Sequence, residues 1–87
     1  MTNRVIVTLV DERSNVGYDL ELPLDQKCAD LIDDIAQTLM GCNSSLYYEP
    51  EYMSLRLKRT GKILNRKETI RQACVWTGDI LEFIPRV

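Results

Sequence analysis

The fold is decided by the stretch Cys28-Ala-Asp-Leu-Ile-Asp-Asp-Ile-Ala-Gln-Thr-Leu39. Its apolar side chains recur every three or four residues, which places them along one face of an α-helix, while three aspartates and a glutamine occupy the other side. Asp25 is expected to cap the start of this helix and Gly41 to end it. The stretch predicts an amphipathic helix whose buried face is formed by Cys28, Leu31, Ile32, Ile35, Ala36 and Leu39.

Two segments with the pattern of β-strands precede the helix. Residues 4–10 are rich in β-branched side chains, and residues 18–22 alternate apolar with acidic side chains. A polar turn of residues 11–17 joins them, and Pro23 ends the second segment because proline has no backbone N–H to donate. The pattern predicts an antiparallel hairpin whose inward positions are Val5, Val7, Leu9, Tyr18, Leu20 and Leu22.

A loop is predicted on the other side of the helix, over residues 42–52. Its apolar side chains are Leu46, Tyr47, Tyr48, Pro50 and Tyr52. Three tyrosines within six residues are compatible with a binding surface. A loop of this composition more often pins itself to the core with its own side chains, and we favour that interpretation.

A second hairpin follows this loop. Residues 53–58 alternate, with Leu55 and Leu57 facing the core. Residues 62–64 form a short return strand, and Gly61 supplies the positive φ that many hairpin turns require.

A last strand is predicted over residues 80–84, after a brief helical turn of residues 68–74 that carries Ile70 and Ala73. Because an isolated hairpin is marginally stable, all five strands should form one sheet packed on the helix. The last strand should lie beside the first and parallel to it. We therefore expect an α+β chain of β-grasp architecture, in which a mixed five-stranded sheet packs on one main helix and residues 1–87 form a single domain.

The composition is that of an ordinary globular protein, with 45% hydrophobic and 28% charged residues in a chain of 87. The longest apolar run, residues 5–9, is far shorter than a bilayer span, and the residues after Met1 lack the pattern of a signal peptide. We therefore expect no direct insertion into a membrane, and we expect a cytoplasmic location.

An enzyme is not expected, because the chain contains no histidine, the commonest general base and metal ligand. Its three cysteines lie too far apart in sequence for a zinc or redox motif. Cys28 and Cys74 are interpreted as small apolar residues and Cys42, in the loop, as the exposed one. Neither a cofactor nor a metal ion is expected.

The chain resembles ubiquitin over nearly its whole length. The resemblance rests on the order of a short strand, an anchoring segment and a closing strand. These are Gly61-Lys-Ile-Leu64, then Glu68-Thr-Ile70 with Val75, and then Gly78-Asp-Ile-Leu-Glu-Phe83. Among ubiquitin-like proteins it is most similar to the YukD/EsaB family, small bacterial proteins associated with type VII secretion. That likeness rests on Val5-Ile-Val-Thr-Leu9, Tyr18-Asp-Leu-Glu-Leu22, Leu31-Ile-Asp-Asp-Ile35 and Gly78-Asp-Ile-Leu81.

The resemblance implies a cytoplasmic accessory or regulatory component that docks onto other protein components of the secretion machinery. In some of these systems, a related ubiquitin-like domain forms the N-terminal part of the membrane subunit EccD. Two alternatives stay open: a ubiquitin-like adaptor in another pathway, and a sulfur carrier or modifier whose tail is missing.

The C-terminal sequence differs from that of the proteins that are conjugated. Ubiquitin and the sulfur carriers end in a flexible tail with two glycines, which threads into the activating enzyme. Here the corresponding sequence is Ile84-Pro-Arg-Val87, which is stiff and bulky. Conjugation and sulfur transfer are therefore not expected.

Charge is unevenly distributed along the chain, although the net charge is only −2. Residues 1–51 carry ten acidic and three basic side chains, whereas residues 52–87 carry three acidic and eight basic ones. Nucleic-acid binding is disfavoured, because no aromatic side chains are interleaved with the basic ones. Two interpretations of the basic end and the acidic face stay open: the charges only keep a small domain soluble, or they form the electrostatic part of a protein-docking interface.

The docking surface is predicted on the outer face of the sheet. By the alignment with ubiquitin, the central isoleucine of ubiquitin's apolar patch corresponds to Lys58, with Glu82 as its cross-strand partner. Trp76 is interpreted either as an interface residue or as a lid on the core. The candidate partner-binding residues are Ile6, Arg56, Lys58, Arg59, Lys62, Trp76 and Ile84.

Overall fold

A computed structural model describes residues 3–42, 45 and 47–86. Val87 and the loop residue Leu46, both used in the sequence predictions, lie outside the described residues. The elements are β1 (Arg4–Asp11), β2 (Val16–Pro23), α1 (Cys28–Cys42), a 3₁₀ turn (Pro50–Tyr52), β3 (Met53–Leu57), β4 (Lys62–Ile63) and β5 (Ile80–Pro85).

The strands form one mixed sheet in the order β2-β1-β5-β3-β4. β1 and β5 run parallel, with Leu9 opposite Leu81, and the other neighbouring strands are antiparallel. The predicted β-grasp order, with the last strand beside the first, is confirmed. The core lies between this sheet and α1.

The helix has the predicted apolar face, since all six residues of its stripe are buried. It packs on the inward side chains of the three central strands, of which the most deeply buried are Val7, Leu9, Leu55, Leu57, Leu81 and Phe83. An amphipathic helix on an apolar sheet face is the arrangement that the sequence period predicts.

The predicted cap of α1 is wrong. The helix begins at Cys28, and the first helical bond runs from the N–H of Leu31 to the carbonyl of Lys27. The N–H groups of Cys28 and Ala29 donate to the carbonyls of the segment 66–68, at 2.8 and 3.0 Å. Because the neighbouring loop satisfies these donors, no side-chain cap is needed, and Asp25 pairs with Arg71 instead.

Residues 70–74 form consecutive turns rather than a helix, and Thr69 before them forms an isolated antiparallel β-bridge with Lys27. Ile70 and Ala73 are buried, whereas Cys74, interpreted from the sequence as a small apolar residue, is exposed. Cys74 has a left-handed backbone conformation, with φ of 57°. This turn leaves its side chain exposed and directs the next residue, Val75, into the core.

The tyrosine loop is pinned to the core through Tyr48, which confirms the favoured interpretation. Tyr48 is buried and packs edge-to-face on Phe83, with 5.4 Å between ring centroids. Its hydroxyl donates to the carboxylate of Asp11, a fully buried group that also accepts from the backbone N–H of Arg13 at 3.1 Å and the hydroxyl of Ser14 at 3.0 Å. Burial, followed by the hydrogen bond to Asp11, raises the pKa of Tyr48 to about 12.

Candidate docking surface

The alternation of side chains along each strand identifies the residues on the face of the sheet that is turned away from α1. Leu9 and Leu81 face the core, so their neighbours on the outer face are Thr8, Val10, Ile80 and Glu82. On β3 the same alternation places Ser54 and Arg56 outward, and it extends to Lys58, the residue that follows β3. We call this surface the outer face.

One end of the outer face carries a compact set of side chains, all exposed except the half-buried Ile80. Both backbone polar groups of Ile6 form hydrogen bonds with the turn after Trp76. The N–H of Ile6 donates to the hydroxyl of Thr77 at 3.2 Å, and its carbonyl accepts from the N–H of Gly78 at 2.8 Å. The N–H of Lys58 donates to the carbonyl of Ile80 at 3.0 Å, which brings β3 to the same end. We define the tryptophan patch as Ile6, Lys58, Arg59, Trp76 and Ile80.

Trp76 is held in place although it is exposed. Its side chain is 59% exposed, and the guanidinium of Arg59 lies 3.9 Å from the ring centroid. The same guanidinium binds both carboxylate oxygens of Asp79, at 2.9 and 3.2 Å, and the carbonyl of Cys74 at 3.0 Å. The N–H of Trp76 donates to Asp79 at 2.8 Å. Trp76 is therefore a fixed, exposed aromatic side chain rather than a lid on the core.

Asp79 is the electrostatic centre of this arrangement. It is buried, and the hydrogen bond from Arg59 holds the pKa of its carboxyl below the usual range, against the opposing effect of burial. The carboxylate therefore stays ionised and keeps the guanidinium over the indole ring, where cation–π attraction adds to the contact. Asp79 was missed as a site residue, although its position after Gly78 in a turn was apparent from the sequence.

The structure brings together four of the predicted partner-binding residues, Ile6, Lys58, Arg59 and Trp76. Lys62 lies on β4, with its amine 3.6 Å from the carboxylate of Glu68.

The predicted cross-strand pair needs a correction. Glu82 lies opposite Arg56 in the register of β3 and β5, and the two side chains meet at 2.9 Å. The hydrogen bond from Arg56 is the main cause of the lowered pKa of Glu82. Lys58, two residues further along, donates its N–H to the carbonyl of Ile80 and so lies beside that residue. Arg56 is thus part of an ion pair within the chain, and Lys58 is the exposed cation of the patch.

Ile84 is also placed differently from the prediction. It follows Phe83 on β5 and so faces outward opposite Ser54, but it is only 5% exposed. Ile84 shares a shallow groove with residues 63–67 and Arg86. In this groove the guanidinium of Arg66 donates to the carbonyl of Met53, at the start of β3, at 2.9 Å. Ile84 is buried within the chain, so it is not an anchor for a partner.

Within residues 3–42, 45 and 47–86, no group of three side chains from cysteine, aspartate and glutamate is placed to hold a metal ion. Among the helices that the structure describes, none is long and apolar enough to cross a bilayer.

No family model and no curated protein sequence matches this chain. Solved structures do match. The N-terminal ubiquitin-like domain of the 4931431F19Rik protein superimposes with a TM-score of 0.74 at 14% identity, over 100% of this chain and 79% of that one. Ubiquitin from Caldiarchaeum subterraneum gives 0.72 at 18% identity, over 97% and 95% of the two chains.

A third likeness is to part of a larger chain. One chain of the MycP5-free ESX-5 inner membrane complex superimposes with a TM-score of 0.78 at 16% identity, over 97% of this chain and 21% of that one. At these identities the likeness is one of backbone, and it agrees with the strand order and the single main helix. The chain has the ubiquitin-like β-grasp fold.

Proposed function

We propose that this protein is a non-catalytic, non-covalent docking component of a bacterial type VII secretion system and that it binds another protein of the machinery through the tryptophan patch. The observation that carries the proposal is the exposed indole of Trp76, fixed by Arg59 and Asp79. Tryptophan and arginine are the side chains that most often dominate binding energy at protein interfaces.

The patch has the composition of an interface. Ile6 is 56% exposed beside Trp76, and the two provide an apolar centre. Lys58, exposed, and the half-exposed guanidinium of Arg59 provide a charged rim. Because the indole is already held in one position, little conformational entropy is lost when a partner covers it.

The secretion setting is supported by two likenesses. The sequence is similar to the YukD/EsaB family at the stretches quoted above. The same fold occupies about a fifth of a chain in the ESX-5 inner membrane complex, which is a precedent for this fold within a membrane-bound assembly. The absence of histidine from the sequence is consistent with a binding rather than a catalytic role.

The test is affinity capture of the tagged chain from detergent-solubilised membranes of its host, with identification by mass spectrometry and binding measurements on the recovered partner. We expect a subunit of the secretion machinery to be captured. Trp76→Ala should weaken its binding roughly 30-fold, which corresponds to about 2 kcal/mol. Lys58→Glu should mainly slow association and alter its dependence on salt.

Tyr52→Ala is the matched control, because Tyr52 is an aromatic residue of similar exposure, 62%, in the 3₁₀ turn that contacts α1. It should leave the affinity unchanged. Equal affinities of the wild type and Trp76→Ala would contradict the proposed surface. A partner unrelated to secretion would contradict the proposed setting, and recovery of the chain in covalent species of higher mass would contradict non-covalent binding.

A further inference from the structure

The hydrogen bonds of Arg59 leave one part of its guanidinium for a ligand. Nε and Nη2 donate to the carboxylate of Asp79, and Nη2 also donates to the carbonyl of Cys74. An arginine has five N–H donors, and the two on Nη1 have no partner among the residues that the structure describes. Because the side chain is 37% exposed and is fixed over Trp76, Nη1 can bind an acceptor that a partner brings to the tryptophan patch.

Lys58 is a second cation at the same site. It is exposed, and no carboxylate of the described residues lies within ion-pair distance of its amine. The pKa of Glu82 is lowered first by the hydrogen bond from Arg56, and the charge of Lys58 adds a smaller effect. The turn after β3 is held in place, since the N–H of Gly61 donates to the carbonyl of Leu57 at 2.8 Å. Both cations of the patch therefore lie on a fixed turn.

The acidic side chains that border the patch are bound within the chain. Glu21 lies opposite Ile6 in the register of β1 and β2, and its carboxylate is 3.7 Å from the guanidinium of Arg4. The others are Asp19, which accepts from Thr8, Glu82, which accepts from Arg56, and Asp79, which accepts from Arg59. The patch thus presents positive charge at Lys58 and at Nη1, although the net charge of the protein is −2.

Uncovered apolar surface lies beside these cations. Trp76 and Ile6 each leave more than half of their surface exposed. Burial of apolar surface supplies most of the favourable free energy of association, whereas exposed charges select the partner and set the association rate. A partner segment with lysine or arginine would bring like charges together at Lys58. A segment with aspartate or glutamate beside an apolar residue would complement both parts of the patch.

We infer that the tryptophan patch binds an acidic segment of its partner, in which aspartates or glutamates flank a large apolar residue. The apolar side chain covers Trp76 and Ile6, and the carboxylates bind the amine of Lys58 and Nη1 of Arg59. This inference rests on the proposed function, since it gives the chemistry of the partner at the same site. A nucleic-acid strand suits the patch less, because Glu21 borders it and the patch has one aromatic side chain on which a base could stack.

The probe is a synthetic octapeptide with blocked ends, in which a central leucine and phenylalanine are flanked on each side by a run of aspartates. This design offers a carboxylate at every short spacing from the apolar pair. Serine and lysine versions of the same peptide are the comparisons, and each is titrated into the isotope-labelled protein and followed by NMR and by Trp76 fluorescence. We expect the aspartate peptide to bind roughly fivefold more tightly than the serine peptide, with amide shifts at Ile6, Lys58, Arg59 and Trp76. The lysine peptide should not bind.

Lys58→Glu separates the charge from the apolar contact. It should remove the preference for aspartate over serine and allow the lysine peptide to bind, while the affinity for the serine peptide stays unchanged. Lys67→Glu is the matched control, because it changes the net charge equally at a turn residue outside the patch, and it should keep the preference for aspartate. Trp76→Ala should weaken the binding of the aspartate and serine peptides alike. Added salt should weaken the aspartate peptide more than the serine peptide.

Several results would overturn the inference: no binding of the aspartate peptide, equal affinity for the aspartate and serine peptides, or equal losses with Lys58→Glu and Lys67→Glu. Tighter binding of oligothymidylate at the same residues would also overturn it and would identify a nucleic-acid site. The proposed function fails separately, because it depends on whether Trp76→Ala weakens binding of the partner recovered from the host. A recovered partner that needs Trp76 but binds Lys58→Glu as it binds the wild type would leave the proposed function standing and contradict the acidic segment.

Discussion

Buried aspartates anchor polar loops at both ends of the sheet. Asp11, at the end of β1, accepts hydrogen bonds from the hydroxyl of Tyr48 and from two groups of its own turn. Asp79, before β5, accepts hydrogen bonds from the guanidinium of Arg59 and from the N–H of Trp76. Every buried side-chain polar atom in the described part of the chain has a hydrogen-bond partner. Each aspartate is consequently a point at which removal of one partner leaves a charged group buried and incompletely satisfied.

Tyr48→Phe tests the first of these groups. The change keeps the ring on Phe83 but removes the O–H that donates to the buried carboxylate of Asp11. We expect the free energy of unfolding in urea to fall by roughly 1.5–3 kcal/mol, the range for hydrogen bonds to charged groups. Tyr47→Phe is the control, since Tyr47 is 66% exposed, and it should change stability little. Equal stabilities of the two variants would contradict this role of Asp11.

The same pair of variants predicts a pH dependence. The pKa of Tyr48 is raised in the folded state from 10.0 to about 12, so the folded protein holds this proton more tightly than the unfolded chain. The resulting stabilisation is present below pH 10 and is lost as the pH rises toward about 12. The stability difference between the wild type and Tyr48→Phe should therefore shrink over this interval. A constant difference would show that the phenol is not the group responsible.

The elements of the fold were largely predictable, because their signals are local. The helix stripe from Cys28 to Leu39 and the alternation in β1 are readable from spacing alone, and both are confirmed. The wrong predictions, such as the Asp25 cap and the exposure of Ile84, depend on segments distant in sequence that happen to lie nearby. The candidate docking surface was predictable only in part for the same reason: Ile6 and Trp76 lie in distant stretches of the sequence, and only the fold brings them together.

Leu31→Ala tests the packing of α1 on the sheet. Leu31 is 4% exposed, and the truncation leaves a cavity between helix and sheet in addition to removing buried apolar surface. We expect a loss of roughly 2–5 kcal/mol in urea unfolding, as we do for Ile35→Ala. Gln37→Ala, on the exposed side of the same helix, is the matched control and should be close to neutral. A Leu31 variant as stable as the control would place the helix in a different register.

At the scale of the whole molecule, acidic side chains lie on the β2 edge of the sheet and basic side chains lie around the turn after β3. Asp19 and Glu21 are on β2, and Lys58 and Arg59 follow β3. Such an uneven distribution of charge steers the approach of charged partners to a small protein. The sheet connects these regions, because β1 and β5 lie between the β2 edge and the β3–β4 hairpin.

This connection predicts that the whole chain unfolds as one cooperative unit. The turn of Trp76, the only tryptophan of the sequence, is bonded to β1 through Ile6 and held to the end of β3 through Arg59. Since β5 closes the sheet between these strands, the tryptophan patch cannot separate from the core without breaking the central ladder.

Urea unfolding followed by Trp76 fluorescence should therefore coincide with unfolding followed by far-ultraviolet circular dichroism, with the same midpoint and slope. Leu31→Ala should move both curves together. A fluorescence transition that precedes the loss of secondary structure would show that the patch opens independently. Trp76 would then pay an ordering cost on binding that the rigid arrangement with Arg59 and Asp79 is proposed to avoid.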